Sequence, residues 1–177
     1  MAFDIHGYSA DVRAILARHG DGARAMPLAN GLVVRAAVDA IAGRKATDLF
    51  AEAPHPEAAL AGLYLYFCEY DTAHTIAQDI SSAEGSFWHG ILHRQEPDAA
   101  NAGYWFRRVG QHAVFPALRA AAAKAGYAVA EGWDPFAFID YCESARRKPG
   151  SNEEEIAMTV QLAEWQLLFD YCARPQR

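Results

Sequence analysis

The stretch Glu57-Ala-Ala-Leu-Ala-Gly-Leu-Tyr-Leu-Tyr-Phe-Cys-Glu-Tyr70 decides the fold. Its apolar residues, Leu60, Leu63, Tyr64, Leu65, Tyr66, Phe67 and Cys68, leave no polar face at helical spacing. A helix that is apolar nearly all round sits at the centre of a protein, covered on most sides. A strand is disfavoured, because Ala58, Ala59, Ala61 and Gly62 have poor β propensity. Pro56 suits the first turn of such a helix.

The covering elements also read as helices. Ser9 is placed to cap Ala10–His19, with Gly20 as its stop. Leu32–Ala42 carries apolar residues at helical spacing, and a short turn of helix is expected near Ala46–Glu52. Asp71, His74 and Gln78 share a helical face. Ser81 or Ser82 opens a helix that Pro97 ends. Asn101 opens a short one through Tyr104–Val109, stopped by Gly110. Pro116–Ala125 follows, then Asp134-Pro135 as cap and first turn of a helix through Ser144. Ser151-Asn-Glu-Glu-Glu155 starts the last helix, whose stripe includes Met158, Leu162, Trp165, Leu168, Phe169 and Cys172. No sustained alternating pattern marks a strand. The expectation is all-α: a single-domain bundle of roughly seven helices around a buried central helix, spanning residues 1–177.

With 177 residues, 52% hydrophobic and 21% charged, the chain has enough apolar material for one sizeable core. A net charge of −6 argues against general binding to nucleic acid or anionic membranes. The longest apolar run, Ala58–Cys68, is far short of the roughly 20 residues that span a bilayer. Met1-Ala-Phe-Asp-Ile-His6 lacks the basic and apolar regions of a secretory signal. Cys68, Cys142 and Cys172 are far apart, form no CxxC pair and lie in apolar surroundings. They read as reduced thiols, so a soluble, cytoplasmic protein is expected.

Chemistry concentrates in Ser86-Phe-Trp-His-Gly-Ile-Leu-His-Arg-Gln-Glu-Pro-Asp98 and its continuation to His112. His89 and His93 are four apart, so on a helix they lie one turn apart on one side. Ser86, Gly90 and Glu96 fall within the same arc of roughly 120°, while Phe87, Trp88, Ile91 and Leu92 fill the opposite one. The expectation is a two-faced helix with titratable groups on a cleft. Gly85 and Gly90 each cost ~1 kcal/mol in a helix relative to Ala. Their presence there implies close approach of another helix or a ligand.

Two His at this spacing suit a divalent metal such as zinc, with His74 on the preceding helix as third ligand and Glu96 or Asp71 to complete the set. Gly90 stands where a zinc protease carries its glutamate base, which removes that reading. A metal-free acid/base pocket is the second reading, with Arg94, Arg107 and Arg108 holding an anionic small molecule. Residues 94–124 carry five bases against two acids, a local excess of +3 in an acidic chain. The arginines also read as an ordinary helix surface, with Glu96 and Asp98 pairing with Arg107 and Arg108. The third reading is non-catalytic: the His/Arg/Glu cluster is an internal network, Glu96-Pro-Asp98 with Asn101 is a turn-and-cap device with Asp98 and Asn101 as capping types for the Tyr104 helix, and Arg94 and Arg107 lock that turn against the His helix. Trp88, Trp133 and Trp165 read as core, whereas Tyr104 and Trp105 flank the polar cluster. His6, His19 and His55 read as exposed, and His112 as undecided between core and surface. Neither a P-loop nor a Rossmann glycine pattern occurs, so no nucleotide cofactor is expected.

The run Gly85-Ser-Phe-Trp-His-Gly-Ile-Leu-His-Arg-Gln-Glu-Pro-Asp98, followed by Asn101-Ala-Gly-Tyr-Trp-Phe-Arg-Arg-Val-Gly110, resembles a family of bacterial proteins of similar length. Trp133-Asp-Pro-Phe-Ala-Phe138 and Glu164-Trp-Gln-Leu-Leu-Phe-Asp170 are similar to it as well. Gln95 departs from the pattern, which has arginine there. The resemblance implies a shared architecture over most of the chain and brings no assigned activity.

Overall fold

Covering the 57–70 stretch on every side sets the architecture. The computed structural model describes residues 3–175, so the first two residues of the N-terminal segment read above lie outside it. The helices are α1 (Ala10–Leu16), α2 (Arg35–Ile41), α3 (Ala46–Leu49), α4 (Pro56–Tyr66), α5 (Tyr70–Asp79), α6 (Ala83–Gln95), α7 (Ala99–Val109), α8 (Phe115–Lys124), α9 (Pro135–Arg146) and α10 (Asn152–Ala173). Two 3-10 turns, Ile5–Gly7 and Ala17–His19, precede α2. The described residues contain no strand. The described residues form ten helices rather than roughly seven, of which α1, α2 and α3 are short pieces of 7, 7 and 4 residues.

The capping residues act as their types dictate. Ser9 accepts from Val12 N, Asp134 from Phe136 N and Ala137 N, and Ser151 from Glu154 N. Asp98, not Asn101, caps α7: it accepts from Asn101 N, so the helix starts at Ala99. Two boundaries differ from the sequence reading for a visible reason. The central helix stops at Tyr66 because Cys68 adopts a left-handed conformation, φ 60°. Cys68 N then donates to Leu65 O and Glu69 N to Tyr64 O. This is a Schellman ending with cysteine in the position that glycine usually takes. α2 starts at Arg35 rather than Leu32, since the residues before it are drawn to the α4–α5 junction. There Val34 N donates to Phe67 O and Gly31 N to the Tyr70 hydroxyl. Leu32, expected on an apolar stripe, is 91% exposed.

α4 is enclosed as expected, with Ala58, Ala59 and every residue from Ala61 to Tyr66 buried. Gly62 is the contact point for two tryptophans. A Cβ there would stand 2.7 Å from the Trp88 ring, and Gly62 O accepts from Trp165 Nε1 at 2.8 Å. α10 and α6 therefore both dock on α4 through large aromatics, and the Trp88 contact is one that only a glycine admits. α6 packs most extensively on α7, where a Cβ at Gly90 would meet the Phe106 ring at 2.8 Å. The two glycines flanking the histidines thus serve protein packing: Gly85 meets Ile80 and Gly90 meets Phe106. No helix among the described residues is long and apolar enough to cross a membrane.

Arg94 departs most from expectation. It does not face a cleft. It is fully buried, and its guanidinium pairs with Glu164 of α10, also fully buried. Gln161 Oε1 accepts from Arg94 Nε and Nη2, both at 3.3 Å, and the Phe138 ring lies 4.7 Å from the guanidinium carbon. Removing one partner of a buried pair leaves an uncompensated charge, which costs ~3–5 kcal/mol. Arg94→Met should lower stability by about that amount in urea unfolding. Arg94→Met combined with Glu164→Leu should recover most of the loss.

Candidate metal centre

His74 comes from α5, and His89 and His93 from successive turns of α6. α5 and α6 pack side by side, so His74 falls opposite the pair. His74 Nε2 and His89 Nε2 are 3.0 Å apart. The His89 and His93 rings stack with centroids 4.9 Å apart, and His74 meets both rings edge-on. One ligand atom from each of the three lies within 4.8 Å of the others. These three residues can hold a metal ion.

The surroundings differ from residue to residue. His89 is 1% exposed, with Trp105 of α7 stacked on its ring at 3.8 Å. Its Nδ1 is buried and has no hydrogen-bond partner. Burial, aided by the neighbouring His74 and His93, pushes its pKa down to about 3. It is therefore neutral near pH 7, the form that ligates a metal. His93 is half-buried, and its Nδ1 lies 3.0 Å from the Glu96 carboxylate. Burial lowers its pKa as well, with Glu96 opposing the shift. On the outer side, Arg108 lies 5.3 Å from the Trp105 ring centre and 6.0 Å from that of Tyr104.

The structure thus gathers His74, His89, His93 and Glu96, sets Trp105 against His89, and places Tyr104 and Arg108 against Trp105. It separates the remaining expected residues. Arg94 is in the core. Asp71 is exposed three residues before His74, about 4.5 Å along the helix axis, and is outside the metal-competent group. Arg107 is exposed on another side of α7, lining a separate pocket with Trp133 and Phe136. Ser86 and Gly90 are buried, so α6 is enclosed nearly all round rather than two-faced. The surface pairs expected for Glu96 and Asp98 do not form either: Glu96 meets His93, and Asp98 holds Asn101 Nδ2 at 2.8 Å.

Sequence reasoning missed a second titratable cluster. Glu84, in the first turn of α6, is buried between His112 Nε2 at 3.4 Å and His55 Nδ1 at 3.8 Å. His112 Nδ1 accepts from Val114 N, so in the neutral ring Nε2 carries the proton and faces the carboxylate. The lone signal was an acidic residue in a first helical turn, which the helix dipole alone explains.

No family model, curated protein or solved structure matches this chain.

Because His89 titrates lower in the folded chain than its ordinary ~6.5, the unfolded chain takes up the proton first. Its contribution is present above about pH 6.5 and is lost as pH falls towards about 3. Melting temperatures measured between about pH 7.5 and 4.5 should fall less steeply for His89→Gln than for the unaltered protein.

Proposed function

We propose that His74, His89 and His93 bind one divalent cation, zinc foremost, and that the bound ion activates water against a small anionic substrate. The observation that carries this is the convergence of three imidazole nitrogens within 4.8 Å from two helices. Three protein ligands with an open fourth position are the arrangement of catalytic rather than structural zinc. Such an ion acts as a Lewis acid and lowers the pKa of bound water towards 7. Glu96 supports the reading, because a carboxylate on the far nitrogen of a ligating histidine fixes its ring and raises its basicity. Arg108 supplies positive charge for an anion; of Arg94, Arg107 and Arg108 it is the one that lies over Trp105, whose ring stacks on His89. The buried unpaired thiols of Cys68, Cys142 and Cys172 suit a reducing, cytoplasmic setting.

One observation favours a second reading. A 3.0 Å contact between two Nε2 atoms is also what a neutral imidazole donating to another would give. In that case the trio is an internal hydrogen-bonding network, and the protein is a structural or interaction module.

Zinc titration followed by calorimetry separates the two. The metal reading expects one equivalent per chain, an intense visible spectrum for the tetrahedral cobalt(II) form, and loss of both in His89→Ala and His93→Ala. Zinc at 100 times its dissociation constant should add about 2.7 kcal/mol of stability, removed by a chelator. Substoichiometric metal that neither substitution changes would establish the network reading instead.

A further inference from the structure

α7 carries a second set of polar groups on its far side. Arg107 lies two residues past Trp105, about 200° around the helix, and so faces away from the histidines. It lines a pocket of about 430 Å³ formed by α7, the Gly110–Gln111 turn, the start of α8 and the start of α9. Phe106 and Phe115 give it a buried apolar floor, and Phe136, partly exposed, forms a wall.

Two donors at this pocket are unused. Arg94, Arg146 and Arg174 each hold a carboxylate, whereas Arg107 has no ion pair within 4 Å among the described residues. Trp133 is 9% exposed and its enclosed indole N–H, like that of Trp88, has no acceptor, while the Trp165 N–H donates to Gly62 O. A buried donor without an acceptor is unfavourable. Asp134, at the rim, already uses Oδ1 to cap α9.

We propose that this pocket binds a small monocarboxylate with an aromatic body. The guanidinium of Arg107 takes the carboxylate, and the ring lies among Phe106, Phe115 and Phe136, beside the Trp133 indole. The volume is at the small end for ligand sites, and a few polar groups in an aromatic setting are their usual lining. One guanidinium with an aspartate at the rim suits a single negative charge better than a doubly charged phosphate. This site is independent of any metal at the histidines.

Phenylacetate and 3-phenylpropionate are the probes, with phenylacetamide as the uncharged control. The readout is the indole ¹⁵N–¹H resonance of Trp133, identified by its absence in Trp133→Phe. Both acids should shift it saturably, with Kd near or below about 1 mM. The amide should bind about tenfold more weakly or worse, and Arg107→Gln should weaken the acids by a similar factor. Arg107 is exposed, so this variant should fold normally. His89→Ala and chelator-treated protein should bind the acids unchanged. The proposal is overturned if the resonance stays still at about 10 mM acid, if amide and acid bind alike, if Arg107→Gln binds as the unaltered protein does, or if binding is lost in His89→Ala.

Discussion

Arg94 and Glu164 meet where no solvent reaches, and this pairing constrains most of what surrounds it. Two buried charges are tolerable only when each has its partner and the remaining donors are satisfied. Here Gln161 takes two of the guanidinium donors. Gln161 in turn donates to Pro27 O at 2.8 Å, as Gln95 does at 2.7 Å. Arg146 adds bonds to Arg94 O and Leu28 O. The segment 26–28, which has no helix of its own, is thereby tied to α6, α9 and α10 by side chains. A half-built version of such a network is worse than an apolar core, so these residues form one unit. Arg94 directly follows His93 in sequence. Holding Arg94 towards α10 fixes the rotation of α6, and that rotation turns His89 and His93 towards α5 and α7.

Close approach supplies the second half of the geometry. The absence of a Cβ at Gly90 lets Phe106 lie directly on α6. That approach brings the neighbouring Trp105 within 3.8 Å of the His89 ring, nearly parallel to it. The stacked indole shields His89 and keeps it neutral, which a more distant helix would not do. Gly62 acts in the same way on the opposite side of α6, admitting Trp88. The histidine helix is therefore clamped between two aromatic contacts, each made possible by a glycine.

The helical order was legible because caps and stops are local. Ser9, Asp134, Ser151, Gly20 and Gly126 act through their own backbone neighbours, and a linear reading captures that. His74 as the partner of His89 and His93 was legible for the same kind of reason, being one short connection away on an adjacent helix. Arg94 was not. Placing a charged residue on the cleft side of α6 is the right default, and it fails only because Glu164 and Gln161 wait on a helix about 70 residues further on. Both sit beside the apolar stripe of α10, where their spacing gives no hint of burial. Arg107 was misassigned by treating three arginines as one patch, although residues 94, 107 and 108 leave their helices in unrelated directions. Glu84, His55 and His112 come from three distant segments, so no sequence window contains them together.

The histidine cluster is close to the geometry a cation would need before any cation arrives. Zinc–nitrogen bonds of about 2.05 Å at tetrahedral angles place ligand nitrogens about 3.3 Å apart. His74 and His89 stand at 3.0 Å, so that pair needs a few tenths of an ångström, whereas the trio lies only within 4.8 Å, which leaves His93 the larger adjustment. Of two neutral imidazoles at that distance one donates its Nε2 proton to the other, and to ligate an ion that ring would carry its proton on Nδ1 instead, leaving both Nε2 lone pairs facing the cation. His93 is already oriented by Glu96. Most of the ordering that a metal site demands of its ligands is therefore supplied by the fold itself. It comes from the buried arginine–glutamate pair that sets the helix rotation and from the tryptophan that holds His89 in place.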